Sequence, residues 1–256
     1  MFSPGREQVS EGFRPDAFER LYNAEANNFW FQSRSLLIEW ALRQYFPWRK
    51  NLLEIGCGTG FVLSGIERTF PQISLYGSDI YSAGLSYAAK RLKKAELFQM
   101  DARTIPFENE FDVIGAFDVL EHIAEDGLVL SQIYRAVRAG GGVILTVPQH
   151  QFLWSKVDEH ACHVRRYNAQ ILKLKVQSAG FEIVKMTSFI SFPFPLMMIL
   201  RLKKRERSDQ QPAAEINVNW LINIILKKIL DVERGIIRTG ISFPFGGSLL
   251  VIAKKH

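Results

Sequence analysis

The sequence predicts an α/β fold, a mostly parallel sheet with helices on both faces, and three observations carry that prediction. Short apolar runs alternate with helical stretches from about residue 49 onward, the pattern of strands joined by helical crossovers. A glycine-rich turn, Glu54-Ile55-Gly56-Cys57-Gly58-Thr59-Gly60, lies between the first such strand and the next helix. Acidic residues then stand at the ends of the following three strands: Asp79, Asp101 and Asp118.

The elements follow in order. Around FWFQSRSLLIEWALRQYF, apolar residues recur at helical spacing as Leu37, Trp40, Ala41 and Tyr45. Pro47 ends that helix. NLLEIG reads as the first strand, and Phe61 to Phe70 as a helix closed by Pro71. ISLYGSD is the second strand, YSAGLSYAAKRLKKA a helix and ELFQM the third strand. FDVIGAFD is the fourth, followed by LEHI and a helix expected to end near Gly140, with a turn at 138–142. GGVILTVP is the fifth. A polar and aromatic connector runs from Gln149 to Tyr167, and a helix through Ala179 is ended by Gly180. FEIVKMTSF and SLLVIAKK read as the last two strands.

Between those strands lies an insertion at 189–240. Its first part, FISFPFPLMMIL, is too short to cross a bilayer. Its second part places Val218, Leu221, Ile225, Ile229, Val232 and Ile236 at a three-four spacing, with Asn223, Lys227, Asp231, Arg234 and Arg238 on another face.

Composition narrows the class. Hydrophobic residues make up 47% and charged residues 23% of 256, as in a globular chain able to bury a sizeable core. Two cysteines, Cys57 and Cys162, give no disulfide framework. With a polar N-terminus that lacks a signal-type apolar core, they predict a cytoplasmic protein. Residues 1–200 hold 21 basic and 21 acidic residues, and 201–256 hold 11 and 5, so the whole excess of +6 sits in the C-terminal segment. An uneven basic charge suits an anionic surface.

The glycine turn lets the backbone approach a ligand closely. A dinucleotide fingerprint needs Gly or Ala three residues after Gly58, and that position is Phe61. Asp79, 19 residues past Gly60, can accept both hydroxyls of a ribose. Asp101 with Ala102 can read an adenine edge. Four such strand ends in succession describe one site, because open α/β sheets bind ligands beyond the carboxyl ends of their strands.

With EIGCGTG, SDI, MDA, DVLEHI and the 138–142 turn in hand, the chain resembles the class I S-adenosylmethionine-dependent methyltransferases of the bacterial small-molecule branch, over about residues 50–188. The resemblance implies a Rossmann-like seven-stranded sheet in the order 3-2-1-4-5-7-6, the last strand antiparallel. It implies S-adenosyl-L-methionine as cofactor, S-adenosyl-L-homocysteine as product, and no metal. The cofactor residues it implies are Glu54, Gly56, Cys57, Gly58, Gly60, Asp79, Ile80, Asp101, Ala102, Asp118, Val119 and His122. Residues 1–48 are then a helical lid, 49–188 and 241–256 the cofactor-binding domain, and 189–240 a substrate cap or a membrane-surface contact.

The expected reaction moves a methyl group to oxygen, or to nitrogen, of a small or lipid- or glycan-linked acceptor. A base for the acceptor proton is sought on the connector, where His160 and His163 are the candidates. His160-x-x-His163 with Cys162 hints at a metal, but no fourth ligand follows at suitable spacing. The apolar run 189–200 and the basic residues Arg201, Lys203, Lys204, Arg205 and Arg207 predict peripheral contact with an anionic inner membrane face. An NAD-dependent oxidoreductase is disfavoured by Phe61 and by the lack of a Tyr-x-x-x-Lys pair. Nucleic acid is disfavoured as acceptor by the lack of an Asn/Asp-Pro-Pro-Tyr motif. A noncatalytic cofactor-binding or membrane-associated module stays open at this point.

Overall fold

The computed structural model describes residues 15–204 and 218–256. Its seven strands are β1 (Asn51–Ile55), β2 (Ser74–Asp79), β3 (Glu96–Gln99), β4 (Phe111–Phe117), β5 (Val137–Pro148), β6 (Glu182–Phe189) and β7 (Ser248–Lys254). They lie in the order β3-β2-β1-β4-β5-β7-β6, as expected. Strands β1 to β5 pair in parallel, and β7 runs antiparallel to both β5 and β6.

The helices are α1 (Pro15–Ala24), α2 (Phe29–Tyr45), α3 (Phe61–Thr69), α4 (Ser82–Arg91), α5 (Asp126–Ala136), α6 (Lys156–His160), α7 (Ala169–Ser178), α8 (Phe194–Lys204) and α9 (Trp220–Arg238). Both sheet faces are covered. Leu52 aligns with Val113 and Leu53 with Ile114 in the parallel register. Side chains alternate across a strand, so the two pairs enter different cores. Leu53, Ile114 and Leu145 pack with Leu130, Ile133 and Leu172 of α5 and α7. Leu52, Val113 and Ile144 pack with Leu37, Leu42, Leu63 and Ile66 of α2 and α3. Burial on both faces is why the central strands read as continuous apolar runs.

One expectation needs correction. Helix α5 stops at Ala136, and 138–142 belongs to β5 rather than to a separate turn. Val137 already pairs with Phe111, and a register shift between Phe111 and Val113 absorbs the extra residues. The Gly140 N–H and the Gly141 carbonyl both bond Lys255, so the sheet captures this stretch. Helix α9 turns Leu230, Glu233 and Ile237 inward, a different set from the stripe read from the spacing, whose direction the sequence left open. Leu221, Ile225 and Val232 of that stripe are 53%, 57% and 60% exposed. Glu233 chooses the face: its carboxylate accepts the N–H groups of Ser191 (2.7 Å) and Phe192 (3.0 Å), which the turn after β6 would otherwise leave unmet. The prolines of the apolar run stand before and within the first turn of α8, where proline is tolerated.

Candidate active site

The carboxyl ends of β1, β2 and β4 open on one edge of the sheet, and the glycine turn after β1 folds across it. Cys57 N–H donates to Ser78 O at 2.9 Å, tying the turn to β2. Gly56 has φ +67°, and a Cβ there would stand 2.5 Å from Val119 Cγ2. Gly58 has φ +53°, and a Cβ there would meet no atom within 4 Å. The turn is therefore packed against Val119 at its base and bare at Gly58, with the backbone open to a ligand. The Cys57 thiol is held well above its usual range by burial and by the Asp79 and Glu54 charges, so it stays a neutral thiol.

Asp79 braces that turn. Its Oδ2 accepts Gly58 N–H at 2.8 Å and its Oδ1 accepts Tyr81 N–H at 2.9 Å. A carboxylate has about four acceptor sites, so both oxygens keep capacity for further donors. Burial pushes its carboxyl up to about 6 against these backbone bonds. Ile80 is half-buried, and its carbonyl accepts the Gln99 side-chain amide at 2.9 Å. Asp101 is held by Arg103 through Nε at 3.0 Å and Nη2 at 2.8 Å, while Ala102 beside it is buried.

Glu54, at the end of β1, is 3% exposed, and its Oε2 has no hydrogen-bond partner. Burial pushes its carboxyl up to about 8, partly offset by the Arg34 charge. Arg34 reaches in from α2 and pairs with Asp118, which stands at φ +58° just past β4. Its guanidinium lies 4.4 Å from the centre of the Trp30 ring. Closer to the N-terminus, Glu25 accepts the Thr59 hydroxyl and pairs with Arg91 at 2.7 Å. Helices α1 and α2 thus close on the glycine turn through charge as well as apolar contact.

The connector after β5 meets the turn after β4. Val164 N–H donates to Glu121 O at 2.8 Å. Asp158 receives His163 Nδ1 (2.9 Å), Arg166 Nε (2.7 Å) and Ser155 N–H (2.8 Å). Burial opposes its ionisation, but these partners hold it well below the usual carboxylate range. His163 turns its Nε2 towards Glu121 Oε1, 4.0 Å away. Glu121 is fully buried, and neither carboxyl oxygen has a hydrogen-bond partner. Burial pushes it up to about 8. His122 packs edge-on against His163, and burial with the neighbouring His163 lowers it to about 3.

The two candidate bases part company here. His163 belongs to this polar cluster. His160 is exposed at the end of α6, with Nδ1 on its own helix at Lys156 O. Arg165 is taken up by Asp126 (2.7 Å) and Ile123 O (2.9 Å). Sequence reasoning missed Glu121 and the Arg34–Asp118 and Glu25–Arg91 pairs, which join residues 84 and 66 positions apart. A local signal existed only for Glu121, a charge set between Leu120 and His122 in an apolar context.

The family model described as a methyltransferase domain matches residues 22–186. The chain belongs to the methyltransferase domain family. Curated relatives include a fatty-acid O-methyltransferase of Mycolicibacterium smegmatis, 31% identical over 139 residues, covering 53% of this chain and 49% of that one. A malonyl-acyl-carrier-protein O-methyltransferase of Legionella pneumophila is 26% identical over 128 residues, covering 46% and 45%. The chain thus spans about half the length of these relatives. The fold matches a Haemonchus contortus phosphoethanolamine N-methyltransferase solved with S-adenosyl-L-methionine at a TM-score of 0.57 and 19% identity, over 87% of this chain and 52% of that one.

The chain therefore has the S-adenosylmethionine-binding, Rossmann-like methyltransferase fold. Its residues fit that cofactor. The bare face of Gly58 leaves room for close approach, and the orphaned Glu54 Oε2 waits for a cationic donor such as an ammonium.

Proposed function

We propose that this methyltransferase domain moves the methyl group of S-adenosyl-L-methionine to an oxygen of a lipid-type or lipid-linked acceptor. The observation that carries the reading is the pairing of the bare Gly58 turn with the unsatisfied Glu54 carboxyl at the carboxyl edge of the sheet. Glu54 and the turn 56–60 hold the methionine part, Asp79 the ribose, Asp101 and Ala102 the adenine. Asp118 and Val119 border the methionine end, and helices α1 and α2 act as the lid.

The cofactor supplies an activated sulfonium methyl. In the transfer a carbon–oxygen bond forms, the carbon–sulfur bond breaks with its electron pair returning to sulfur, and a hydroxyl acceptor loses its proton. The protein aligns the acceptor oxygen with the methyl and excludes water, which can supply most of the acceleration. Of the two histidines, His163 is the one through which the site assists loss of that proton. Asp158 fixes its orientation, and its second nitrogen faces the post-β4 turn.

Two observations support a lipid-type acceptor. The named relatives include a fatty-acid O-methyltransferase. The insertion also leaves Leu196 and Ile199 of α8 and Trp220, Leu221 and Ile225 of α9 47–66% exposed, with Lys228 exposed on α9 as well. Such a face suits peripheral contact with an anionic bilayer. The basic run Arg201, Lys203, Lys204, Arg205 and Arg207 that the sequence adds to it lies outside the described side chains. Among the described residues no helix is long and apolar enough to cross a membrane.

Methyl-labelled cofactor incubated with the chain and a bacterial lipid extract tests the proposal. Label should enter an alkali-stable or esterified lipid fraction with equimolar S-adenosyl-L-homocysteine, and Asp79→Ala should abolish it. Tight cofactor binding without label in any lipid, small-molecule or glycan fraction would leave the noncatalytic module instead.

A further inference from the structure

We propose that Glu121, His122 and His163 form a binding site for a divalent first-row transition-metal ion beside the methyl-transfer site. Among the described residues these three bring one carboxylate oxygen and two imidazole nitrogens within 4.8 Å of one another. They come from two segments about forty residues apart, the turn after β4 and the connector after β5, which the Val164–Glu121 backbone bond clamps together.

The second, independent observation is Glu121 itself. It is fully buried, yet both carboxyl oxygens lack a hydrogen-bond partner. A buried carboxyl without a donor is costly, and a cation is the partner that would satisfy both oxygens. The surroundings are those of a metal ligand set. A ligating histidine usually gives its other ring nitrogen to a carboxylate, which fixes the tautomer. Here His163 Nδ1 lies 2.9 Å from Asp158 Oδ1, and Asp158 is pinned in turn by Arg166 and the Ser155 N–H. That leaves Nε2 with its lone pair towards Glu121 Oε1. His122 packs edge-on against His163, with ring centroids 4.7 Å apart.

The donor set selects the ion. Two imidazoles with one carboxylate suit manganese, iron, cobalt or zinc, whereas magnesium and calcium prefer oxygen. Bonds of about 2.1 Å put tetrahedral donors roughly 3.4 Å apart. The His163–Glu121 gap of 4.0 Å closes by small side-chain rotations. Three protein ligands leave at least one coordination position open. His163 is partly exposed on its side chain, at 14%, so that position is reachable by an acceptor oxygen. With the ion bound, His163 Nε2 would be a ligand and not a proton acceptor, and His163 would assist loss of the acceptor proton by holding the ion. That use in methyl transfer rests on the proposed function, but binding of the ion does not.

The test uses the tag-free full chain, stripped with chelator and titrated with Co²⁺ while visible absorption is followed, with Zn²⁺ and Mg²⁺ in parallel calorimetry. One equivalent of Co²⁺ and of Zn²⁺ should bind, with Mg²⁺ at least tenfold weaker. The near-isosteric Glu121→Gln and the variant His163→Ala should each weaken Zn²⁺ binding tenfold or more, while His160→Ala binds as the parent does. Zn²⁺ should also raise the melting temperature of the parent and not that of Glu121→Gln, which separates lost ligation from lost folding. No binding of Co²⁺ or Zn²⁺ by the parent, or equal binding by Glu121→Gln, overturns the site. S-adenosyl-L-homocysteine binding is measured on the same samples. If it persists while the metal does not bind, the metal site alone has failed.

Discussion

The Glu54 carboxyl shows how much one buried group can govern. It is pushed up to about 8 by burial, with the Arg34 charge and a backbone hydrogen bond at Leu63 pulling it back. It therefore binds its proton more tightly in the folded chain than in the unfolded one. That preference stabilises the fold fully below the unfolded value of about 4.3 and is lost as pH rises through about 8. Glu54→Gln, read by melting temperature in chelator-treated protein between pH 5 and 8.5, should flatten this part of the pH dependence. The variant should be more stable than the parent at pH 8.5, by on the order of 1 kcal/mol. The same substitution should weaken S-adenosyl-L-homocysteine binding, because an amide presents one acceptor oxygen in place of two. An unchanged pH slope would mean that Glu54 finds a partner in the folded chain.

At the scale of elements, the turn between β1 and α3 and the helix α9 each make a separate demand. Gly58 combines a positive φ with open space above it. Gly58→Val should cost roughly 1–2 kcal/mol of stability through left-handed strain and keep the fold. It should also weaken S-adenosyl-L-homocysteine binding at least a hundredfold in calorimetry, because the side chain fills the approach. Near-normal affinity would move the ligand off this turn. Helix α9 presents two apolar faces: Leu230 and Ile237 go inward, while Leu221 and Ile225 face outward. Co-sedimentation with anionic vesicles at low salt should capture the chain and release it as salt rises. Leu221→Ser with Ile225→Ser should reduce capture severalfold without shifting the melting temperature, since neither side chain is buried. Equal capture of that variant would assign the membrane contact elsewhere.

For the whole molecule, the sheet edge and the α1–α2 segment should respond to the cofactor as one body. Glu25, Arg34 and Arg91 link the N-terminal helices to Thr59 and Asp118 on the sheet. A ligand bound there stabilises the entire chain by about 2.7 kcal/mol at a hundredfold excess over its dissociation constant. For a chain of this size that is roughly 5–10 °C in melting temperature. S-adenosyl-L-homocysteine should produce such a rise and NAD should not. A larger rise with NAD would overturn the cofactor assignment.

The succession of strands along the chain, the glycine turn and the acidic strand ends were legible in the sequence because each is local, whereas the order of the strands in the sheet was what the family resemblance implied. An apolar run, a turn residue and the residue after a strand all lie within a few positions of one another, and the physics that fixes them acts over that range. Asp79 meeting Gly58 follows from two adjacent strand ends once the sheet is parallel. The rest depended on contacts between distant segments. Periodicity along α9 offers two apolar stripes, and only the backbone N–H groups of Ser191 and Phe192, satisfied by Glu233, decide which one is buried. Spacing along 160–163 found no complete metal ligand set, because the residues that meet His163 are Glu121 and His122, brought there by the crossing of two loops. Arg34 could be read as part of an N-terminal lid, but only the fold names Asp118 as its partner. Local sequence determined which backbone elements form and which strand ends carry the glycine turn and the carboxylates. Tertiary structure decided which charges are buried together, since desolvation depends on neighbours that the chain brings from far away.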